Sequence, residues 1–183
     1  MNNFIMFIGL PGSGKTTFIG NNESRITSTY GVDCVISSDA VIEDVANARG
    51  LTYSEVFADS VNLAGKYIEA MLGILSLQQK NFILDQTNLT PKSRQRKLGL
   101  LVHPANYNRI AVVFGQKDEV LIDRLNKRAN VGGKIIPTEV LNTMRRNYIA
   151  PKLEEGFTKI MTVEEFEESL NASVNSYGGA KFA

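Results

Sequence analysis

Five short apolar runs punctuate this chain, and between them apolar positions recur at helical spacing. The runs are residues 3–8, Cys34 to Ser37, Phe82-Ile83-Leu84, Arg109 to Phe114 and Lys159 to Val163. Runs this short, bounded by turn residues, predict strands. Thr52-Tyr53-Ser54-Glu55 has the T-x-x-E form of a helix capping box. After it, Val56, Phe57, Val61, Ala64, Ile68, Met71, Leu72 and Leu75 step by threes and fours, which predicts a long helix to about Gln79 with this stripe in the core. Further helices are expected from about Lys15, from Ser37-Ser38-Asp39, and from Pro91 to about Val102. Three more are expected at Lys117 to about Ala129, with Val120, Leu121 and Leu125 inward, at Pro137 to about Tyr148, and at Glu164 to Leu170. Polar residues 20–31 are expected to end the first helix in a loop. Asn130-Val131-Gly132-Gly133-Lys134 reads as a flexible loop, and the polar tail 171–183 as a frayed end.

Strands alternating with helices predict an α/β fold: a central parallel sheet of about five strands with helices on both faces. The 183 residues suit one domain, residues 1–183. In such sheets ligands sit beyond the carboxyl ends of the strands. Net charge is +1, so any nucleic-acid binding must come from a local patch rather than a global field. The single cysteine, Cys34, excludes an internal disulfide and reads as a small packed hydrophobe in a reducing compartment. No apolar stretch approaches the ~20 residues that span a bilayer. The expectation is a soluble cytoplasmic protein (host cytoplasm for a phage protein) without a membrane partner.

The chemistry begins after the first strand. Gly9-Leu10-Pro11-Gly12-Ser13-Gly14-Lys15-Thr16 reads G-x-x-x-x-G-K-T, a phosphate-binding P-loop, between an apolar run and a helix start. Its glycines let backbone N–H groups face phosphate oxygens, and the helix N-terminus adds its own free N–H groups. Lys15 would reach the β- and γ-phosphates, and the Thr16 hydroxyl would ligate Mg²⁺. Asp39 follows the second strand, where a carboxylate serves either as general base or as helix N-cap. Asp85 ends the third strand in the manner of an acid that holds Mg²⁺. Thr87 and Asn88 follow, suited to bonding a substrate, orienting Asp39 or making a turn. Arg124 and Arg128 share one helix face beside the glycine loop. They suit a small lid, about residues 124–136, that closes over a transferring phosphoryl group, or else a solvated face shared with Asp123 and Lys127. Lys92, Arg94, Arg96 and Lys97, and Arg145-Arg146, are basic clusters able to meet nucleic-acid phosphates. His103 lies in a turn, and no zinc spacing of Cys and His is present.

These residues carry a resemblance. Gly9 to Thr17, Ser37-Ser38-Asp39, Asp85 with Thr87-Asn88-Leu89, Arg124 to Arg128, and Ile136-Pro137 through Val140-Leu141 to Met144 together resemble the kinase domain of phage-type polynucleotide kinases, within the wider P-loop kinases. The resemblance covers most of residues 3–163 and implies the P-loop kinase fold with ATP and Mg²⁺ as cofactors. It implies nucleotide contacts from Gly9, Pro11, Gly12, Ser13, Gly14, Lys15, Thr16, Thr17, Arg124 and Arg128, and metal ligation through Thr16 and Asp85. It makes Asp39 the general base, with Lys15 and Arg128 as catalytic partners, and puts Asp39, Asp85, Thr87 and Asn88 beside the substrate. Ile42 stands where that family has an arginine, and Gln86 is an insertion in its D-T-N motif. Phe82 to Asn88, Arg94 to Leu98 and Leu153-Glu154-Glu155-Gly156-Phe157 are also similar to the kinase-like domain of heterogeneous nuclear ribonucleoprotein U, an ATP-binding, RNA-associated protein.

The expected activity is transfer of the γ-phosphate of ATP to a hydroxyl of a nucleic-acid acceptor, DNA or RNA, by default a 5′-hydroxyl end. The alternatives are the hydroxymethyl group of 5-hydroxymethyluracil in phage DNA, a small molecule such as a nucleoside or metabolite, and an ATP-binding or ATPase module that associates with RNA or DNA. With the chain ending at Ala183, kinase activity without a phosphatase is expected.

Overall fold

The computed structural model describes residues 1–115, 117–130 and 134–177. Five strands, β1 (Asn2–Ile8), β2 (Cys34–Ser37), β3 (Phe82–Asp85), β4 (Tyr107–Val113) and β5 (Lys159–Thr162), form one parallel sheet in the order β2-β3-β1-β4-β5. The helices are α1 (Lys15–Tyr30), α2 (Ser38–Arg49), α3 (Tyr53–Leu77), α4 (Pro91–Leu98), α5 (Asp118–Asn130), α6 (Thr138–Asn147) and α7 (Val163–Tyr177). This is the α/β architecture expected from the alternation of runs. Among the described residues no helix is long and apolar enough to cross a membrane.

β1 is central, and its side chains alternate between two cores. Phe4, Met6 and Ile8 pack with Ile68, Leu72 and Leu75 of α3 and Leu98 of α4. Ile5 and Phe7 pack with Ile26 of α1 and Phe166 and Leu170 of α7 on the opposite face. A strand buried on both faces must be apolar at every position, which is why residues 4–8 read as a continuous run. Each large side chain so buried contributes about 1.5–3 kcal/mol.

Three elements differ from expectation. The polar residues after Phe18 continue α1 rather than ending it, because they are its solvent face. Asn22 and Ile26 turn inward, and Gly31, at φ 65°, stops the helix with its N–H on the Thr27 carbonyl. α4 ends at Leu98, short of Val102; there the chain turns, and the Val102 N–H is taken by Ser76 Oγ of α3 at 2.8 Å. α7 runs past Leu170 to Tyr177, its Phe166 ring stacked on Tyr30 at 5.0 Å. Val131-Gly132-Gly133, the centre of the expected loop and lid, and residues 178–183 of the expected tail lie outside the described residues.

One part of the proposed nucleic-acid cluster has a structural task instead. Arg94 is fully buried and forms a forked ion pair with Glu155, both bonds 2.6 Å. It also donates to the carbonyls of Asn88 at 3.0 Å and Ile149 at 2.9 Å. This clamp ties the loop after β3 to the segment before β5 and joins two of the stretches that resemble the ribonucleoprotein. Arg96 pairs with Glu69 of α3. The basic cluster therefore does not form one open face. Removing one partner of a buried pair strands the other charge, so Arg94→Met should destabilise the fold by about 3–5 kcal/mol, measured by urea unfolding. A loss under about 1 kcal/mol would show that the pair is dispensable.

Candidate active site

The parallel register sets the site. Phe7 of β1 lies opposite Asp85 of β3, and Asp85 lies opposite Ser37 of β2. The loop after β1, the acid ending β3 and the start of α2 therefore meet at one sheet edge. Within the loop, a Cβ at Gly9 would stand 2.8 Å from the Phe114 carbonyl oxygen and from Ser13 Oγ, so only glycine fits. Gly14 precedes α1 at φ 98°, a left-handed conformation open to glycine. Lys15 arches over the loop and donates to the Gly9 and Leu10 carbonyls at 2.9 and 3.0 Å. Burial pulls its pKa down to about 8, against the opposing charges of Asp85 and Asp39.

Thr16 and Asp85, predicted as metal ligands, are brought together: the Thr16 hydroxyl donates to Asp85 Oδ2 at 2.6 Å. Asp85 is buried, and this desolvation raises its pKa despite the bond from Thr16 and the charge of Lys15. A hydroxyl and a buried carboxylate at the mouth of a phosphate loop are oxygen donors fit for Mg²⁺, which binds through few protein ligands and the nucleotide phosphates. No group of three or more His, Cys, Asp or Glu side chains forms a metal cage among the described residues.

Asp39 is not the helix cap. Ser37 is the N-cap of α2, its side chain accepting from the Ala40 N–H at 3.4 Å. That leaves the Asp39 carboxylate free to face the cleft, its side chain 42% exposed. Two groups that the sequence reading did not single out hold it there. Tyr53 Oη donates to Oδ1 at 2.8 Å, and Lys134 Nζ donates to both oxygens at 2.8 and 2.9 Å. Lys134 also lies over the Tyr53 ring, 4.9 Å from its centre. Burial works against the charged form of Asp39, yet Lys134, Tyr53 and Arg128 prevail and hold its pKa below the ordinary carboxylate value. The same burial and the neighbouring carboxylate push the Tyr53 phenol well above its usual value. Tyr53 is therefore a fixed donor. The three bonds leave one lone-pair site of a carboxylate's ~four for another donor.

Two cavities flank the loop. One, about 520 Å³, is bounded by Gly12, Ser13, Gly14, Thr16, Thr17, Phe18, Arg124, Arg128 and Val163. The other, about 310 Å³, is bounded by Pro11, Gly12, Lys15, Thr16, Asp39, Ile42, Phe57, Val61, Asp85, Gln86, Thr87, Lys97, Arg128, Lys134 and Met144. Gly12, Thr16 and Arg128 border both. Arg124 donates to the Gly12 carbonyl at 3.2 Å, and Arg128 pairs with Glu43 of α2 at 3.2 Å. Asp123 and Lys127 pair with each other at 2.8 Å on the solvent side. The helix thus divides its charges: one pair stays in water while the two arginines face the loop.

Thr87 lines the second cavity, and its carbonyl accepts from the Gly9 N–H at 3.0 Å. Asn88 is buried behind it. Its amide donates to the Phe7 carbonyl at 2.8 Å and its oxygen accepts from Lys97. Phe57 and Val61, expected in the core, are 40% and 39% exposed and wall the second cavity. His103 sits before β4, at the opposite edge of the sheet from the loop. Cys34 packs against the core, and burial raises its thiol pKa, which disfavours the nucleophilic thiolate.

A family model described as an AAA domain (AAA_33) matches residues 4–151. Heterogeneous nuclear ribonucleoprotein U-like protein 2 of Mus musculus is 27% identical over 181 residues, covering 94% of this chain and 23% of that protein's length. Among solved structures, Kti12 of Chaetomium thermophilum in complex with ADP-AlF3 is similar at a TM-score of 0.59 and 18% identity, over 98% of this chain and 100% of that one. A chain of the Pnkp1/Rnl/Hen1 RNA repair complex is similar at a TM-score of 0.58 and 22% identity, over 80% of this chain and 43% of that one. These likenesses agree in fold with the resemblance to P-loop kinases.

Proposed function

The chain belongs to this AAA domain family, and we propose that it is an ATP-dependent phosphotransferase whose acceptor is a hydroxyl of a nucleic acid, a 5′-hydroxyl end by default. The observation that carries the reading is Asp39: a cleft-facing carboxylate, freed from capping by Ser37 and held by Tyr53 and Lys134 across from the phosphate loop. A nucleotide switch has no use for a base in that position. In this reading the larger cavity takes the nucleoside of ATP, and the backbone N–H groups of the loop with Lys15 hold its phosphates. Mg²⁺, held by Thr16 and through Asp85, would neutralise phosphate charge. The smaller cavity takes the acceptor.

Asp39 accepts the acceptor's hydroxyl proton as that oxygen bonds to the γ-phosphorus, and the bond from the γ-phosphorus to the bridging oxygen breaks to leave ADP. Lys134 keeps Asp39 ionised and its open oxygen aimed at the hydroxyl. Arg124 and Arg128 stabilise the charge on the transferring group from the lid side. The RNA repair complex and the ribonucleoprotein relative support a nucleic-acid acceptor. A second reading is an ATP-binding or ATPase module that associates with RNA without phosphorylating it; the ribonucleoprotein name of that relative fits its RNA association.

The test is to incubate the chain with γ-labelled ATP and Mg²⁺ and a panel of acceptors: 5′-hydroxyl DNA and RNA strands, hydroxymethyluracil DNA, nucleosides and sugars. Label on a nucleic-acid hydroxyl is expected, and label released only as inorganic phosphate would favour the ATPase module. With the acceptor so found, the pH profile tests Lys134. The base acts as the carboxylate, so the rate rises with pH through the Asp39 pKa and levels off above it, until the alkaline range in which Lys15 loses its proton. Lys134 lowers that pKa, so Lys134→Met should move the acid limb to higher pH and slow transfer at least about tenfold. An unmoved limb would remove Lys134 from the base's environment.

A further inference from the structure

The wall of the smaller cavity holds a cation that the transfer chemistry leaves unused. Lys97, near the end of α4, lines it beside Gln86 and Thr87. Its ammonium donates to the neutral amide oxygen of Asn88. Among the described residues no carboxylate lies within ion-pair distance of it. Glu69, whose charge reaches Lys97, is engaged by Arg96. Burial and the neighbouring Arg96 pull the Lys97 pKa down to about 8. Gln86 borders the same cavity, while its Oε1 is shielded behind that surface with no hydrogen-bond partner among the described residues. Lys97 is therefore a half-buried cation on the cavity wall with no carboxylate at bonding distance, an arrangement that an incoming anion would relieve. Phe57, Val61 and Met144 supply apolar surface to the same cavity.

Resting on the phosphotransfer reading, we infer that the acceptor carries an anionic oxygen group, phosphate or carboxylate, which Lys97 recognises. The cavity thus reads two features at once. Asp39 takes the hydroxyl at the loop end, while Lys97 fixes the anion at the wall. The apolar side chains of Phe57, Val61 and Met144 cover the body of the acceptor between those contacts. Lys97 is a specificity residue in this account, because it contacts the acceptor away from the reacting atoms.

The experiment uses matched acceptors with Mg²⁺ and ATP. Thymidine is compared with thymidine 3′-monophosphate, and glucose with gluconate, so that phosphate and carboxylate are read separately. The expected result is a kcat/KM at least about tenfold higher for the anionic member of one pair, with Lys97→Met bringing the ratio toward one and Lys97→Arg keeping most of it. A ratio near one in the unaltered protein, or a Lys97→Met variant that slows both members equally and keeps the ratio, overturns the inference. A second readout does not need turnover. Lys97 is acylated at pH 8 in the presence of Mg²⁺ and ADP, and the modified lysine is located by peptide mass. Protection by an anionic compound and none by its neutral partner is expected, and absence of protection by every anion overturns the inference. Protection without phosphate transfer to any compound would leave the anion site standing while refuting the transferase reading. Transfer with a ratio of one would do the reverse.

Discussion

The site depends on the parallel pairing of β1 with β3. That register sets Asp85 beside Phe7, level with the start of the phosphate loop, and pairing of β3 with β2 carries Ser37 to the same edge. A slip of one residue would turn Asp85 to the opposite face and separate it from Thr16. The register is fixed by burial on both faces: Phe4 and Met6 belong to one core, Ile5 and Phe7 to the other, and neither set can change sides without exposing apolar surface. The chemistry at the carboxyl edge is therefore held in place by the hydrophobic alternation of β1 beneath it.

Much of this was readable along the chain. The five strands, the P-loop, the capping box at Thr52 and the strand-end positions of Asp39 and Asp85 are local patterns, and local patterns survive translation into structure. The residues that hold Asp39 were harder. Tyr53 sits inside a capping box, which already accounts for its segment, and its hydroxyl reaches Asp39 only because α3 packs on α2. Lys134 lies 95 residues from Asp39. It looked like part of a glycine loop, since no sequence pattern records a pairing across that distance. Phe57 and Val61 fit the α3 stripe, yet the front of that helix borders a cleft rather than a core. Arg94 is one of several neighbouring basic residues in the sequence, and what sets it apart is distant: Glu155, 61 residues away, and the carbonyl of Ile149, 55 away. Spacing conveys the period of a helix and leaves open which neighbour covers each part of its face.

The charges around the cleft form two tiers. Lys15 and Asp85 are buried, and desolvation moves both toward their neutral forms. A phosphate oxygen or a metal ion at the loop would reverse that pressure, which ties the charge state of this tier to nucleotide. Asp39, Lys134, Arg128 and Glu43 lie nearer solvent and balance one another across α2 and the expected lid. Those contacts are weaker and more readily exchanged than the buried ones. In the proposed reaction the buried tier holds the donor, while the outer tier keeps the base charged and brings cations to the transferring group.

Whether Asp39 is the base of a phosphoryl-transfer site is tested most directly by Asp39→Asn in single-turnover transfer alongside nucleotide binding. The substitution keeps the shape of the side chain and removes its basicity. Affinity for a fluorescent ADP analogue with Mg²⁺ should be unchanged, and transfer should slow by about 10²–10⁴-fold. Transfer at a near-normal rate, with the fold intact, would contradict that role.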